Sequence, residues 1–106
     1  MPTSNEASSW VASGDGVERK VLAHDPALMV VEFRFRENGV GALHHHVHTQ
    51  STFVKSGVFD FTVGDETRRL ETGDSIVIPS DVEHGCVAIE AGSLVDTFAP
   101  RRDDFL

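Results

Sequence analysis

The chain has 106 residues, 40% of them hydrophobic and 25% charged, the size and balance of one small globular domain, so a second domain is not expected within it. Seventeen Asp and Glu against nine Lys and Arg give a formal charge of −8, so the field of the whole molecule repels polyanions and nucleic acid is not expected as a partner. No apolar stretch approaches the roughly 20 residues that span a bilayer, and a membrane partner is not expected either.

Residues 1–9 are small and polar and are expected to form a flexible segment ahead of a single folded domain over residues 10–106. The same nine residues carry neither a basic nor an apolar block of the kind a secretory leader needs, so a cytoplasmic location is the expectation. Trp10 opens the folded part, as a core or dimer-contact residue, and His24 beside Asp25-Pro26 reads as a turn residue.

From Met29 to Arg36 the chain alternates, with Met29, Val31, Phe33 and Phe35 on one side and Glu32, Arg34 and Arg36 on the other, the pattern of a half-buried strand. Asn38-Gly39 is expected to break it. Thr52 to Val63 repeats the alternation around Gly57, and Gly64-Asp65 is a hairpin turn that leads to a second run with Arg68 and Arg69 on a solvated surface. After Gly73-Asp74, a short apolar run from Ile76 to Ile78 ends at Pro79, which cannot donate to a ladder. Two more strands are expected, Gly85 to Ile89 and Leu94 to Ala99, separated by Ala91-Gly92-Ser93. Many short strands with frequent turns and no helical period predict an all-β barrel or sandwich. The single cysteine, Cys86, cannot form an intramolecular disulfide and lies in an apolar run as an inert core residue.

Four of the six histidines fall between Leu43 and Gln50, in the order Leu-His-His-His-Val-His-Thr-Gln. If the stretch is extended, His44, His46, His48 and Gln50 share one face and His45 takes the other. Imidazoles two residues apart on a strand can bind one first-row metal ion together, although an exposed polar loop has the same composition. His84 follows Gly73, Pro79 and Asp81 where one apolar run ends and the next begins, so it can close such a site from a neighbouring strand.

Together these pieces resemble the paired motifs of the cupin superfamily. Gly39, five positions before His44, then His46, Gln50 and Gly57 follow the first motif, and Gly73, Pro79 and His84 follow the second. Gln50 stands where most cupins have Glu, and Asp81 where the second motif usually has glycine. The resemblance implies a single-domain jelly-roll barrel, the double-stranded β-helix. Three neutral imidazoles and a neutral amide oxygen would leave the double charge of a bound ion uncompensated and open to an anionic ligand. His48 is left as a substitute ligand or a hydrogen-bonding neighbour.

Near the C terminus, Leu94, Asp96 and Phe98 share one face of the last strand. Asp96 is then either a carboxylate inside the barrel or a solvent-facing partner for an arginine. The ending Val-Asp-Thr-Phe-Ala-Pro-Arg-Arg-Asp-Asp-Phe-Leu, taken with Leu43 to Gln50 and Gly73 to Gly85, resembles the KdgF family of pectin-degradation cupins. That resemblance implies that His44, His46, Gln50 and His84 hold one divalent metal ion per subunit, with Ni, Zn, Mn or Fe all compatible. It also implies that Asp96, Phe98 and Arg102 form the active-site Asp-x-Phe-x-x-x-Arg pattern. The implied reaction converts 4,5-unsaturated uronate monosaccharides from pectin or alginate into linear ketonised sugars, with a small anionic sugar as substrate and a homodimer as the assembly. A cupin dioxygenase and a non-catalytic sugar-binding cupin are the alternatives, since one fold carries many chemistries.

Overall fold

A computed structural model describes residues 9–106. The expected flexible segment therefore lies outside the described residues except for Ser9, which is exposed. Six strands run in chain order: β1 (Val11–Asp25), β2 (Leu28–His44), β3 (Thr49–Val63), β4 (Glu66–Glu71), β5 (Ser75–Ile78) and β6 (His84–Ala99), followed by a single 3-10 turn, Asp103–Phe105. They form one antiparallel sheet in the order β1-β2-β6-β3-β4, with β5 also paired to β3, which is the all-β architecture expected. No helix among the described residues is long and apolar enough to cross a membrane.

Local chemistry explains most of the corners. Asp25 Oδ1 accepts hydrogen bonds from the amides of Ala27 (2.8 Å) and Leu28 (3.1 Å), turning β1 into β2. Gly64, at φ 60°, opens the two-residue loop between Val63 and Glu66, where a II′ hairpin needs glycine first. The Glu71 amide donates to Asp74 Oδ2 at 2.8 Å and shapes the turn before β5.

Two expected breaks are absent. β2 runs on through Asn38-Gly39, where Asn38 takes φ 66° and the pairing with β6 lapses between Phe35–Gly92 and Val40–Val87. The turn-forming dipeptide here makes a bulge that bends a continuous strand. Likewise Ala91-Gly92-Ser93 lies inside one strand, β6, and does not divide it. Gly92 passes so close to the Ser56 carbonyl and Gly57 that a Cβ has no space there, so the glycine serves a close strand crossing and not a turn. β1, unread in the sequence beyond Trp10, pairs with β2 along most of its length.

The inward faces make two buried clusters. One contains Val54, Phe59, Phe61, Leu70, Ile78 and Leu94, and the other Val21, Met29, Val31 and Phe98. Phe35 and Phe59 meet edge to face at 5.1 Å. Asp96 lies on β6 between Leu94 of the first cluster and Phe98 of the second, so a carboxylate interrupts an otherwise apolar inner surface. Outside, Arg69 forks onto Asp60 across the β3–β4 pair, and Trp10 is half-buried beneath the Arg34 guanidinium at 3.9 Å.

Candidate metal centre and pocket

The histidine tract straddles an element boundary. His44 ends β2, residues 45–48 form a loop, and Thr49 begins β3, so the tract is not the continuous strand assumed from alternation. The loop is tied to the turn before β6: the Asp81 amide donates to the His46 carbonyl at 2.7 Å, and Ser80 Oγ donates to the Val47 carbonyl at 2.6 Å. Asp81 takes φ 62°, a left-handed conformation that aspartate tolerates better than most residues, which accounts for its standing where glycine is usual. These ties bring His84 opposite its register partner His44.

One ring nitrogen from each of His44, His46 and His84 lies within 4.8 Å of the others, so these three are positioned to bind a metal ion. Each ring is oriented by a backbone carbonyl. His44 Nδ1 faces Ala42 O at 2.8 Å, His84 Nδ1 faces Val82 O at 2.9 Å, and His46 Nδ1 faces His48 O at 3.0 Å. A carbonyl only accepts, so Nδ1 carries the proton in each neutral ring and Nε2 is left as a lone pair. His84 Nε2 is buried without any hydrogen-bond partner. Burial pushes the His84 imidazole down to about 4 and is also the main cause of a lowered value at His46, with Arg102 adding to it. Both rings are therefore neutral near pH 7, the state in which imidazole binds metals.

Gln50 is buried, and its Nε2 donates to Thr52 Oγ1 at 2.9 Å and to Asp96 Oδ2 at 3.1 Å, of which the carboxylate oxygen can only accept when ionised and so fixes the amide's orientation. Its Oε1 is thereby turned toward His46 Nε2 at 3.0 Å. With His46 Nδ1–H already committed to a carbonyl, two lone pairs face each other across that gap. A cation removes this opposition, so the donor set fits a metal ion.

These groups open onto one cavity of about 270 Å³. His44, Gln50, His84, Asp96, Phe98 and Arg102 all line it, so six of the seven residues expected from sequence meet there. The seventh, His46, packs edge-on against Phe98 at 5.7 Å. Asp96 faces inward, resolving the choice left open by the strand alternation, and burial pushes its carboxyl up to about 7 against the opposing pull of Thr52 and Arg102. Its Oδ1 is buried with no partner. Arg102 donates from Nε and Nη2 to Asp104 at 3.3 and 2.8 Å.

His48 supplies a backbone carbonyl to His46, while its own ring stands 5.3 Å from that of His46 and outside the three-histidine group. His45 points outward, 3.9 Å from Asp81. Cys86 lines the cavity wall as an inert thiol, pushed up to about 12 by burial and by Asp96. Sequence reasoning missed Thr52, Asp104 and Phe105. Thr52 had a signal, since it lies two residues from Gln50 and so on the same strand face.

Comparison with known proteins shows which family and fold this chain shares. The family described as Cupin domain matches residues 31–97. The pectin degradation protein KdgF of Dickeya dadantii is 38% identical over 104 residues, covering 96% of this chain and 94% of that relative. Among solved structures, KdgF from Halomonas sp. is 42% identical with a TM-score of 0.89, covering 100% of this chain and 98% of its own. An RmlC-like cupin from Shewanella frigidimarina has a TM-score of 0.90 at 36% identity, covering 95% and 91%.

Proposed function

This chain belongs to the cupin domain family, and on that premise we propose that it is a metal-dependent enzyme that converts 4,5-unsaturated uronate monosaccharides into linear ketonised sugars. The observation that carries the reading is one small cavity lined by two imidazoles of the three-histidine group, an inward carboxylate with a free oxygen, and an arginine. At about 270 Å³ the cavity falls just below the range of about 300 to 1,000 Å³ usual for ligand pockets, and suits one sugar ring better than an oligosaccharide. The likeness to proteins named for pectin degradation supports the same substrate class.

The reaction is an isomerisation. The C1 hydroxyl loses its proton as the bond from C1 to the ring oxygen breaks, which leaves an aldehyde at C1 and an enolate at C5. The enolate becomes a ketone as C4 takes up a proton, so one proton moves from oxygen to carbon with no redox change. Asp96 Oδ1, the unpartnered oxygen, takes the hydroxyl proton and returns one to C4. Arg102 grips the substrate carboxylate, and Phe98 forms the wall that orients the ring. One divalent ion per subunit, of the Ni, Zn, Mn or Fe kind, held by His44, His46, His84 and Gln50, would supply an anion anchor and a Lewis acid for the developing enolate charge.

The assembly that fits this reading is a homodimer. Phe53 and Val77 are 46% and 67% exposed on the sheet, and β1 and β4 end its strand order with edges unpaired among the described residues.

Turnover is tested by following loss of the conjugated double bond in the ultraviolet, using 4,5-unsaturated galacturonate and its alginate-derived counterpart. Acceleration over the spontaneous reaction is expected with at least one of them. A metal-loaded sample that accelerates neither would overturn the reading.

Gln50→Glu tests why an amide occupies this position. It replaces two donated hydrogen bonds with a carboxylate facing Asp96, and the expected result is turnover about 10- to 100-fold lower with metal content retained. Steady-state kinetics alongside metal analysis check it, and unchanged turnover would show that the contact to Asp96 is not used.

A further inference from the structure

Arg19 breaks the pattern of its strand. It alternates with Val17 and Val21, both buried, so it lies on the inward face of β1 where an apolar residue is expected. Its Nη1 donates to Ser13 Oγ at 3.1 Å, its Nε is buried with no partner, and no carboxylate among the described residues forms an ion pair with it. Its guanidinium carbon stands 4.2 Å from the centre of the Phe105 ring. The guanidinium carbon of Arg102 stands 4.1 Å from the same centre. Both cations lie over this one ring, each drawn to the negative side of the ring quadrupole. Phe33 and Phe98 meet Phe105 in T-shaped contacts at 6.0 and 5.8 Å. One aromatic ring beside two aspartates is thus held by two cations and against two core aromatics.

We infer that the turn Asp103–Phe105 is a clamp in which Phe105, held by Arg19, is a positioning residue that presents one edge of Arg102 to the substrate anion. The inference rests on the reading above that Arg102 binds that anion. Asp104 takes the Nε and Nη2 edge of the guanidinium, while Phe98 and Phe105 confine its faces at 5.2 and 4.1 Å. The edge carrying Nη1 lies outside the Asp104 pair, and Arg102 lines the cavity. An arginine already immobilised loses less freedom when a carboxylate binds, and that saving corresponds to about 3- to 10-fold in affinity for one rotamer-rich side chain. Arg19 contributes by holding the ring, so it acts on the substrate through two intermediaries and touches none of the reacting atoms.

The test pairs kinetics with a spectroscopic reading that does not depend on turnover. Phe105→Leu fills the space without a π face, and Phe105→Tyr restores the face. Phe105→Leu is expected to raise KM about 3- to 10-fold with kcat little changed, the signature of lost uniform binding, while Phe105→Tyr stays near wild type. Arg19→Met is expected to shift KM in the same direction by less. In an Arg102→Ala background Phe105→Leu is expected to add nothing, because its effect passes through Arg102. An unchanged KM in Phe105→Leu, or losses that multiply in the double variant, would overturn the positioning role. In side-chain NMR spectra of the wild type, the Arg19 and Arg102 guanidinium protons are expected upfield from the ring current, returning to ordinary positions in Phe105→Leu. Ordinary positions in the wild type would overturn the clamp whatever the substrate. Upfield signals in a protein that turns over no unsaturated uronate would leave the clamp standing and remove the substrate reading.

Discussion

Asp96→Asn is expected to lower turnover about 100- to 10,000-fold while the protein keeps its metal, the range that a positioned general acid-base group contributes. The substitution preserves shape. An asparagine side chain can still present an oxygen to Gln50 Nε2, which donates to Asp96 Oδ2 at 3.1 Å, so the amide that orients the metal pole keeps its partner. What disappears is the second oxygen, Oδ1, the buried acceptor without a partner, and with it the capacity to take and return a proton. Thermal stability is expected to hold, since an amide between Leu94 and Phe98 costs no more to bury than the carboxyl it replaces. Kinetics and metal analysis on the same sample check the prediction. If the variant lost its metal and regained full activity on metal addition, Asp96 would be a structural support for the pole and not the proton carrier.

The second large effect is expected from His84→Ala. His84 is only 2% exposed, its Nε2 is buried without a partner, and it joins β6 to the tract on β2. Removing it takes one donor from the three-histidine pole, and the weakening should exceed the roughly 10- to 100-fold that loss of an outer-shell partner produces. Turnover should fall to the spontaneous rate. His48→Ala is the control: its contribution to the site is a backbone carbonyl, which alanine retains, so metal content should stay near wild type. Metal measured per chain after dialysis separates the two. Full metal retention in His84→Ala would mean that the ion is held elsewhere in the tract.

The histidines and Gln50 were legible because their signals are local, whereas the inward course of Asp96 and the place of Arg102 were implied only by the family resemblance. Two imidazoles and an amide at fixed spacing, then Gly73, Pro79 and His84, are short-range patterns, and the alternation of Leu94, Asp96 and Phe98 survives in the structure as an inward face. The course of the strands was less legible. Asn38-Gly39 and Ala91-Gly92-Ser93 have turn composition, yet both lie within long strands, because the same residues that permit a turn also permit a bulge or a close crossing. Which of these occurs depends on Ser56 and Gly57 for Gly92 and on Gly16 for Gly39, all distant in the chain, and no local window contains that information. The same limit hid Phe105. A phenylalanine that follows two aspartates shows no local pattern, and it is the approach of Arg19 and Phe33 from the first two strands and of Phe98 from the last that gives its ring a place.

β6 pairs with both β2 and β3, and the donors of the metal pole are divided between its first residue and the tract some forty positions upstream, His44 facing His84. Asp96, Phe98 and Arg102 come later still. During synthesis, therefore, the histidine tract leaves the ribosome well before any of the groups that complete the pocket. Until the final strand docks between two strands already made, the chain has imidazoles but no buried pole, and its metal affinity at that stage is that of an open peptide. Such long-range pairing is the slow kind of folding event, so a metal ion held by these residues would be acquired late in folding and not at its start.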